Sequence, residues 1–346
     1  MSEAIVTDVR TGHHFSTERL ESYLEHHQQG FTGPLRIRQF EGGQSNPTFL
    51  LESPSGKYVL RKQPPGELLP SAHQVDREYR VMSALAPTNV PVPAMRCLCM
   101  DKGVIGANFY VMDYVPSRIF ADASLPGVEP EHRKLIYSEL ARNLAALHSL
   151  DPRSLGIGDF GRAGNYFSRQ ISRWARQYRA TETETITSMD KLINWLPDNV
   201  PATEKMAVVH GDYRIGNCLI DPIEPAIAAV IDWELSTLGD PLADLGYVYQ
   251  MYYISTFEFG LGGKSLEQLG IPSQEEFIWE YCQHAGIDRV DNLQFSVIYN
   301  LFRLAGISQG VYKRGLEGNA SSEIALTFRE VVRDYADTAW NMVEAL

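Results

Sequence analysis

Between residues 35 and 62 apolar and polar positions alternate. LRIRQFE (35–41), TFLLE (48–52) and KYVLRK (57–62) each read as a strand with one buried face. The segments between them, GGQSNP and SPSG, carry the Gly, Pro, Asn and Ser that tight reversals use, which predicts an antiparallel meander. A short amphipathic helix is expected before it, over 17–27. After PPGELLP the period lengthens, and QVDREYRVMSAL (74–85) sets Val75, Tyr79, Met82 and Leu85 at helical spacing. The prolines of APTNVPVP end that helix, and AMRCLCM (94–100) and FYVMDYV (109–115) return to strand patterns.

Past Pro116 the patterns are long and helical. EHRKLIYSELARNLAALHSL (131–150) puts Ile136, Leu140, Leu144 and Leu147 on one face, and a second helix is expected over 166–179. Three short strand-like runs, AVVH, NCLI and AIAAVID, interrupt this region before helices resume at Pro241. With no internal repeat and no low-complexity linker, the chain reads as α+β, with a sheet-rich part over 1–115 and a helical part over 116–346.

Composition narrows the class. The 346 residues are 44% hydrophobic and carry a formal charge of −12, from 43 acidic against 31 basic residues. A general electrostatic hold on nucleic acid or an anionic membrane is therefore not expected. The four cysteines are scattered and form no C-x-x-C pair, which points to a reducing cytoplasm. MSEAIVTDVRTGHHF lacks the charged start and apolar run of a signal peptide, and no stretch reaches the roughly 18 apolar residues of a membrane span. The pairs His13-His14 and His26-His27 are adjacent in sequence, so on a helix their rings point in different directions and do not make a metal site.

The segment with the most chemistry is VVHGDYRIGNCLIDPIEPAIAAVIDWE (208–234). Asp212 sits in a polar loop after an apolar run, Asn217 follows five positions later, and Asp232 ends the next apolar run. A carboxylate at a strand end can face a cleft while the strand behind it stays buried. An amide oxygen and a carboxylate are hard ligands suited to Mg²⁺, and a second carboxylate, that of Asp212, is left to accept a proton from a hydroxyl. Asp240 precedes Pro241, the arrangement of a helix N-cap with proline first, so Asp240 and Asp244 are read as structural braces of the loop.

The order His210-Gly211-Asp212-x4-Asn217 followed by Ile231-Asp232-Trp233-Glu234 resembles the catalytic loop and metal-binding Asp of protein kinases. With LSTLGDPLADLGYV behind it, the segment is most similar to the aminoglycoside phosphotransferase and choline kinase branch of that superfamily. The resemblance covers residues 35–250 and implies a protein-kinase-like bilobal fold that uses ATP and Mg²⁺. It makes Asp212 the catalytic base and Asn217 and Asp232 the metal ligands. It puts the phosphate loop at EGGQSNPTF, with Gly43, Ser45 and Asn46 nearest the phosphates, although that segment lacks G-x-G-x-x-G. Arg61 or Lys62 takes the place of the kinase lysine; Arg61 is preferred and Glu78 is its partner. In FYVMDYVP, Met112 becomes the gatekeeper, and the carbonyl of Asp113 and N–H of Val115 read adenine. Glu234 is a possible helper, and His148 is read as structural.

The acceptor is expected to be a small hydroxylated molecule. Arg169, Arg173 and Arg176 recur at i, i+4 and i+7 and form one basic stripe, read either as a solvated face or as a site for an anionic acceptor. The stripe, LRKQPPG and IDWELSTLGDPLADLGY are similar to the kinase-like region of acyl-CoA dehydrogenase fusion proteins, which implies a hydroxyacyl-CoA or hydroxy-acid acceptor. The alternatives are an aminoglycoside or choline-type kinase, a catalytically inactive pseudokinase and a metal-dependent phosphohydrolase.

Overall fold

Six strands make one antiparallel sheet in the order β1-β2-β3-β4-β6-β5: β1 Val6–Thr7, β2 Arg36–Phe40, β3 Thr48–Ser53, β4 Gly56–Lys62, β5 Met95–Cys99 and β6 Phe109–Asp113. The expected meander is β2–β4. The two later strands add in reverse order, so β6 lies beside β4 and β5 takes the edge. This is a computed structural model, and it describes residues 5–41, 46–66, 73–202, 205–256, 260–318 and 323–346.

The chain forms two compact units. The first comprises Met1–Phe120, Leu155–Ile157 and Gly216–Ser236; the second comprises Ala121–Ser154, Gly158–Ile215 and Thr237–Leu346. The units are therefore not two successive lengths of chain.

In the first unit the two faces of the sheet differ. Phe49, Leu51, Tyr58, Leu60, Phe109 and Val111 pack with Leu20 and Leu24 of α1 (Thr17–His27). Strand alternation sends Val59, Arg61 and Tyr110 to the opposite face, toward α2 (Val75–Leu85). On α2 the buried stripe is Val75, Glu78, Val81, Met82 and Leu85. Glu78 takes the inward position expected for Tyr79, because its carboxylate finds partners there. A third helix, α3, is the single turn Lys102–Ile105. Apart from the sheet, Cys218–Ile220 pairs antiparallel with Ile227–Val230. The run AIAAVID leaves the ladder after Val230, because Asp232 turns into the left-handed region at φ 67°.

The second unit is helical: α4 Pro130–His148, α5 Tyr166–Thr181, α6 Thr187–Asp198, α7 Pro241–Tyr249, α8 Leu266–Leu269, α9 Gln274–Ala285, α10 Leu293–Leu316 and α11 Phe328–Glu344. Its central helix, α10, is covered by α5, α7 and α11 and buries residues all round its first half. One short antiparallel pair, Ala207–Val209 with Thr237–Gly239, feeds the His210 loop on one side and α7 on the other. Asp240 caps α7 by accepting the Leu242 N–H at 2.9 Å, with Pro241 first in the helix, as expected. All four cysteines are buried, and none is in a disulfide. Among the described residues no helix is long and apolar enough to cross a membrane.

α7 and α10 meet at Gly246, where a Cβ would stand 2.7 Å from the backbone carbon of Ser296. Asn300, one turn along α10, donates to the Ala243 carbonyl at 3.0 Å and ties the two helices together there. Gly246→Ala is expected to cost about 1–3 kcal/mol through overpacking, measured as a lower urea midpoint. An unchanged midpoint would mean that the contact has slack.

Candidate functional site

In the first unit the polar residues gather around one guanidinium. Arg61 leaves β4 on the α2 face, its Nε 3.2 Å from Glu78 Oε2, its Nη2 2.5 Å from Asp232 Oδ1 and 3.5 Å from Glu234 Oε2. The Glu78 contact is an ion pair rather than an aligned hydrogen bond. Glu78 is wholly buried, and its Oε1 accepts from Asn46 Nδ2 at 2.9 Å while Oε2 accepts from the Tyr110 hydroxyl at 3.0 Å. Lys62 points the other way, its ammonium 5.6 Å from the Phe15 ring centroid and 5.9 Å from that of Phe49. Of the two basic residues, the structure sets Arg61 against Glu78 and Asp232.

One cation thus faces three carboxylates. Burial alone would depress the Arg61 guanidinium, but Glu78, Tyr110, Asp232 and Glu234 together hold it charged and push its pKa up. At Glu78 burial dominates. Against the pull of Arg61, and with the charge on Asp232 adding to it, burial lifts the carboxyl to about 7.

Asn217 and Asp232 share one end of the short hairpin. Cys218 pairs with Val230, and the Ile231 N–H donates to the Asn217 carbonyl at 3.0 Å. Among the described residues no three His, Cys, Asp or Glu side chains could hold a metal by themselves. A hard amide oxygen, a carboxylate and an excess of negative charge around Arg61 nevertheless fit Mg²⁺, which typically takes one or two carboxylates and completes its shell with phosphates and water.

In the second unit the His210-Gly211-Asp212 loop is held by its backbone. Asp244 on α7 accepts the His210 N–H at Oδ2 (2.5 Å) and the Gly211 N–H at Oδ1 (2.7 Å). Burial works to raise the pKa of Asp244, but His148, His210 and these amides outweigh it and hold the carboxyl below its ordinary value. His148 Nε2 lies 3.6 Å from Asp244 Oδ2 and its Nδ1 is 2.9 Å from the Tyr281 hydroxyl, a structural placement. From α10, Arg303 donates to the Gly211 carbonyl at 2.8 Å, its guanidinium 5.1 Å from the Tyr247 ring and 5.8 Å from that of Trp174. Tyr247 in turn donates its hydroxyl to Asp212 Oδ1. Arg214 Nε is 3.6 Å from Asp212 Oδ2.

Asp212, Arg214 and Tyr247 line a pocket of about 300 Å³ whose remaining wall includes Val248, Met251, Ile254 and Leu304. Neither Tyr247 nor Arg303 stood out in the motif reading. Tyr247 lies in the run LSTLGDPLADLGYV without an assigned role, and Arg303 is a lone arginine inside the apolar run FSVIYNLFRLAGI.

Gly43 and Ser45 lie outside the described residues. Asn46, expected at the phosphates, is wholly buried, with its amide on Glu78 and its Oδ1 3.1 Å from His73 Nδ1. The Asp113 side chain makes a two-pronged ion pair with Arg96 at 2.6 Å, and its N–H donates to Ala94. The Val115 carbonyl accepts from Ser117 at 3.1 Å. The arginine stripe divides. Arg169 donates to the carbonyls of Gly164 and Arg162, while the exposed Arg173 lies 5.4 Å from the Trp174 ring and Arg176 donates to Ser172 at 2.7 Å.

A six-stranded antiparallel sheet, a helical unit and a braced His-Gly-Asp loop define the kinase-like phosphotransferase fold. The sequence profile of the phosphotransferase enzyme family matches residues 36–272, and the chain belongs to that family. It is 45% identical to acyl-CoA dehydrogenase family member 11 of Gallus gallus over 98% of this chain, and 44% identical to family member 10 of Mus musculus over 90%. It spans only 45% and 29% of those two proteins. A crystal structure from Ralstonia eutropha JMP134, described provisionally as an aminoglycoside phosphotransferase, is 43% identical and superposes with a TM-score of 0.88 over 96% of this chain and 99% of that one.

Replacing Glu78 tests the charge assignment. Its folded pKa lies above the unfolded one, so the folded protein binds the proton more tightly. Stability relative to Glu78→Gln should therefore fall as pH rises from about 4.5 to about 7 and level off above that. Thermal melts across this range measure it; parallel curves for the two proteins would refute the buried, raised carboxyl.

Proposed function

We propose that the chain is a small-molecule kinase that moves the γ-phosphoryl group of ATP, in the presence of Mg²⁺, to an alcohol, and that the alcohol belongs to a hydroxy acid or hydroxyacyl-CoA. The observation that carries the reading is Asp212, a carboxylate on a loop fixed by Asp244 and Arg303 that lines a pocket with an apolar wall.

In this reading Asp212 takes the proton of the acceptor hydroxyl as its oxygen bonds to the γ-phosphorus, and the bond to the bridging oxygen breaks to release ADP. Asn217 and Asp232 hold Mg²⁺, which supplies charge neutralisation on the triphosphate. Arg61, kept charged and oriented by Glu78, steadies the phosphates, and Glu234 shares its guanidinium. Asn46 and Tyr110 keep Glu78 in place. Gly43, Ser45, the Asp113 carbonyl and the Val115 N–H remain the proposed nucleotide contacts from backbone and loop.

The pocket's lining supports this acceptor class. Val248, Met251, Ile254 and Leu304 suit an alkyl or acyl body, and Arg214 suits a carboxylate or carbonyl near the hydroxyl. The names of the fusion relatives point to acyl-CoA chemistry, and Arg173 and Arg176 are available to its phosphates. A cationic acceptor is the second reading, favoured by the description of the R. eutropha structure.

The test is ADP release with hydroxy acids, hydroxyacyl-CoA thioesters and aminoglycosides as acceptors. ADP release that depends on a hydroxy acid or its thioester is expected. Dependence on aminoglycosides alone would replace the acceptor class, and no release with any acceptor would leave a pseudokinase. Asp212→Ala and Asp232→Ala should each lower turnover by at least ~100-fold with the fold intact by circular dichroism. Substantial activity in either would break the assignment.

A further inference from the structure

We propose that Tyr247 is a positioning residue for Asp212: its hydroxyl fixes one carboxylate oxygen so that the other meets the acceptor's hydroxyl. The inference rests on the phosphotransferase reading and gives a role to a residue that this reading leaves without one.

Three observations support it. The Tyr247 hydroxyl donates to Asp212 Oδ1, so rotation of the carboxylate about its own side-chain bonds breaks a half-buried hydrogen bond. The tyrosine is itself held, because the Arg303 guanidinium lies 5.1 Å from its ring while anchoring the Gly211 carbonyl at 2.8 Å, one residue before Asp212. The same side chain lines the pocket beside Asp212, where an acceptor's hydroxyl has to arrive.

Backbone and side chain of the loop are thus gripped by one assembly. Arg303 fixes the peptide, Tyr247 fixes the carboxylate, and the contact between guanidinium and ring ties the two together. Burial, and then the neighbouring Asp212 charge, push the tyrosine far above its ordinary pKa, so it keeps its proton and acts only as a donor. During transfer the acceptor's proton passes to Asp212, its oxygen bonds to phosphorus, and Tyr247 neither gains nor loses a proton.

The consequence is kinetic. Holding a reacting group in its productive orientation contributes to turnover rather than to substrate affinity, and misplacing it by about 1 Å can cost ~100-fold. A tyrosine that merely fills space would instead act through stability.

Tyr247→Phe separates the two, since it keeps the ring beside Arg303 and removes only the hydroxyl. Acceptor-dependent ADP release should show kcat lowered by ~10–100-fold, with KM for nucleotide and acceptor within about twofold of wild type. Tyr252→Phe is the comparison: it removes a buried tyrosine hydrogen bond of the same unit, to the Pro272 carbonyl at 3.0 Å, and should keep kcat within about twofold. A Tyr247→Phe enzyme with wild-type kcat, or with its loss confined to KM, overturns the positioning role while leaving the kinase reading intact. Equal losses of kcat in both variants also overturn it, as a general effect of buried hydroxyls. A wild-type protein that releases no ADP with any acceptor overturns the kinase reading, and this inference with it.

Discussion

The buried carboxylate of Asp244 is the constraint on which the helical unit's site depends. Two consecutive peptide N–H groups, those of His210 and Gly211, end on its two oxygens where no water reaches. Unpaired, each would cost about 1–3 kcal/mol, so the bend of the loop and the placement of α7 are one decision rather than two. His148 lies 3.6 Å from the same carboxylate and supports its charge. Asp212 follows two residues whose backbone is held by Asp244 and Arg303.

The sheet-rich unit solves a different problem. It keeps a guanidinium charged in a nearly closed space by surrounding it with carboxylates, and it keeps one of those, Glu78, buried by giving each of its oxygens a donor. A lone buried carboxylate would be expelled or neutralised; here Asn46, Tyr110 and Arg61 make its burial tolerable. The price is a raised proton affinity at Glu78, which makes this cluster sensitive to acidity in a way that Arg61 is not.

Much of this was legible from local pattern. Strand alternation and turn chemistry gave β2, β3 and β4 to within a residue or two, and helical spacing gave α2, α4 and α5. Family resemblance gave the order of the polar residues. What local pattern does not contain is pairing at long range. Tyr247 reaches Asp212 across 35 positions and Arg303 reaches Gly211 across 92, so neither contact leaves a periodic trace. Glu78 was identified, but its complete burial was not, since period alone favours the apolar Tyr79 for the inward face. Arg169 was grouped with its stripe because spacing fixes where a side chain starts on a helix; the long side chain then turned back to two carbonyls of the preceding loop.

The hairpin between β3 and β4 turns from Ser53 to Gly56 with two residues between them, and everything downstream inherits its count. Sheet neighbours alternate sides strictly, so one added amino acid taken up by β4 rather than by the bend would turn the Arg61-Lys62 dipeptide over. The guanidinium would then land among the rings of Phe15 and Phe49, and an ammonium would inherit three acids. A surface bend with no chemistry of its own thereby determines which base the interior receives, and tolerance to insertion at this bend is bounded by electrostatics some six residues away.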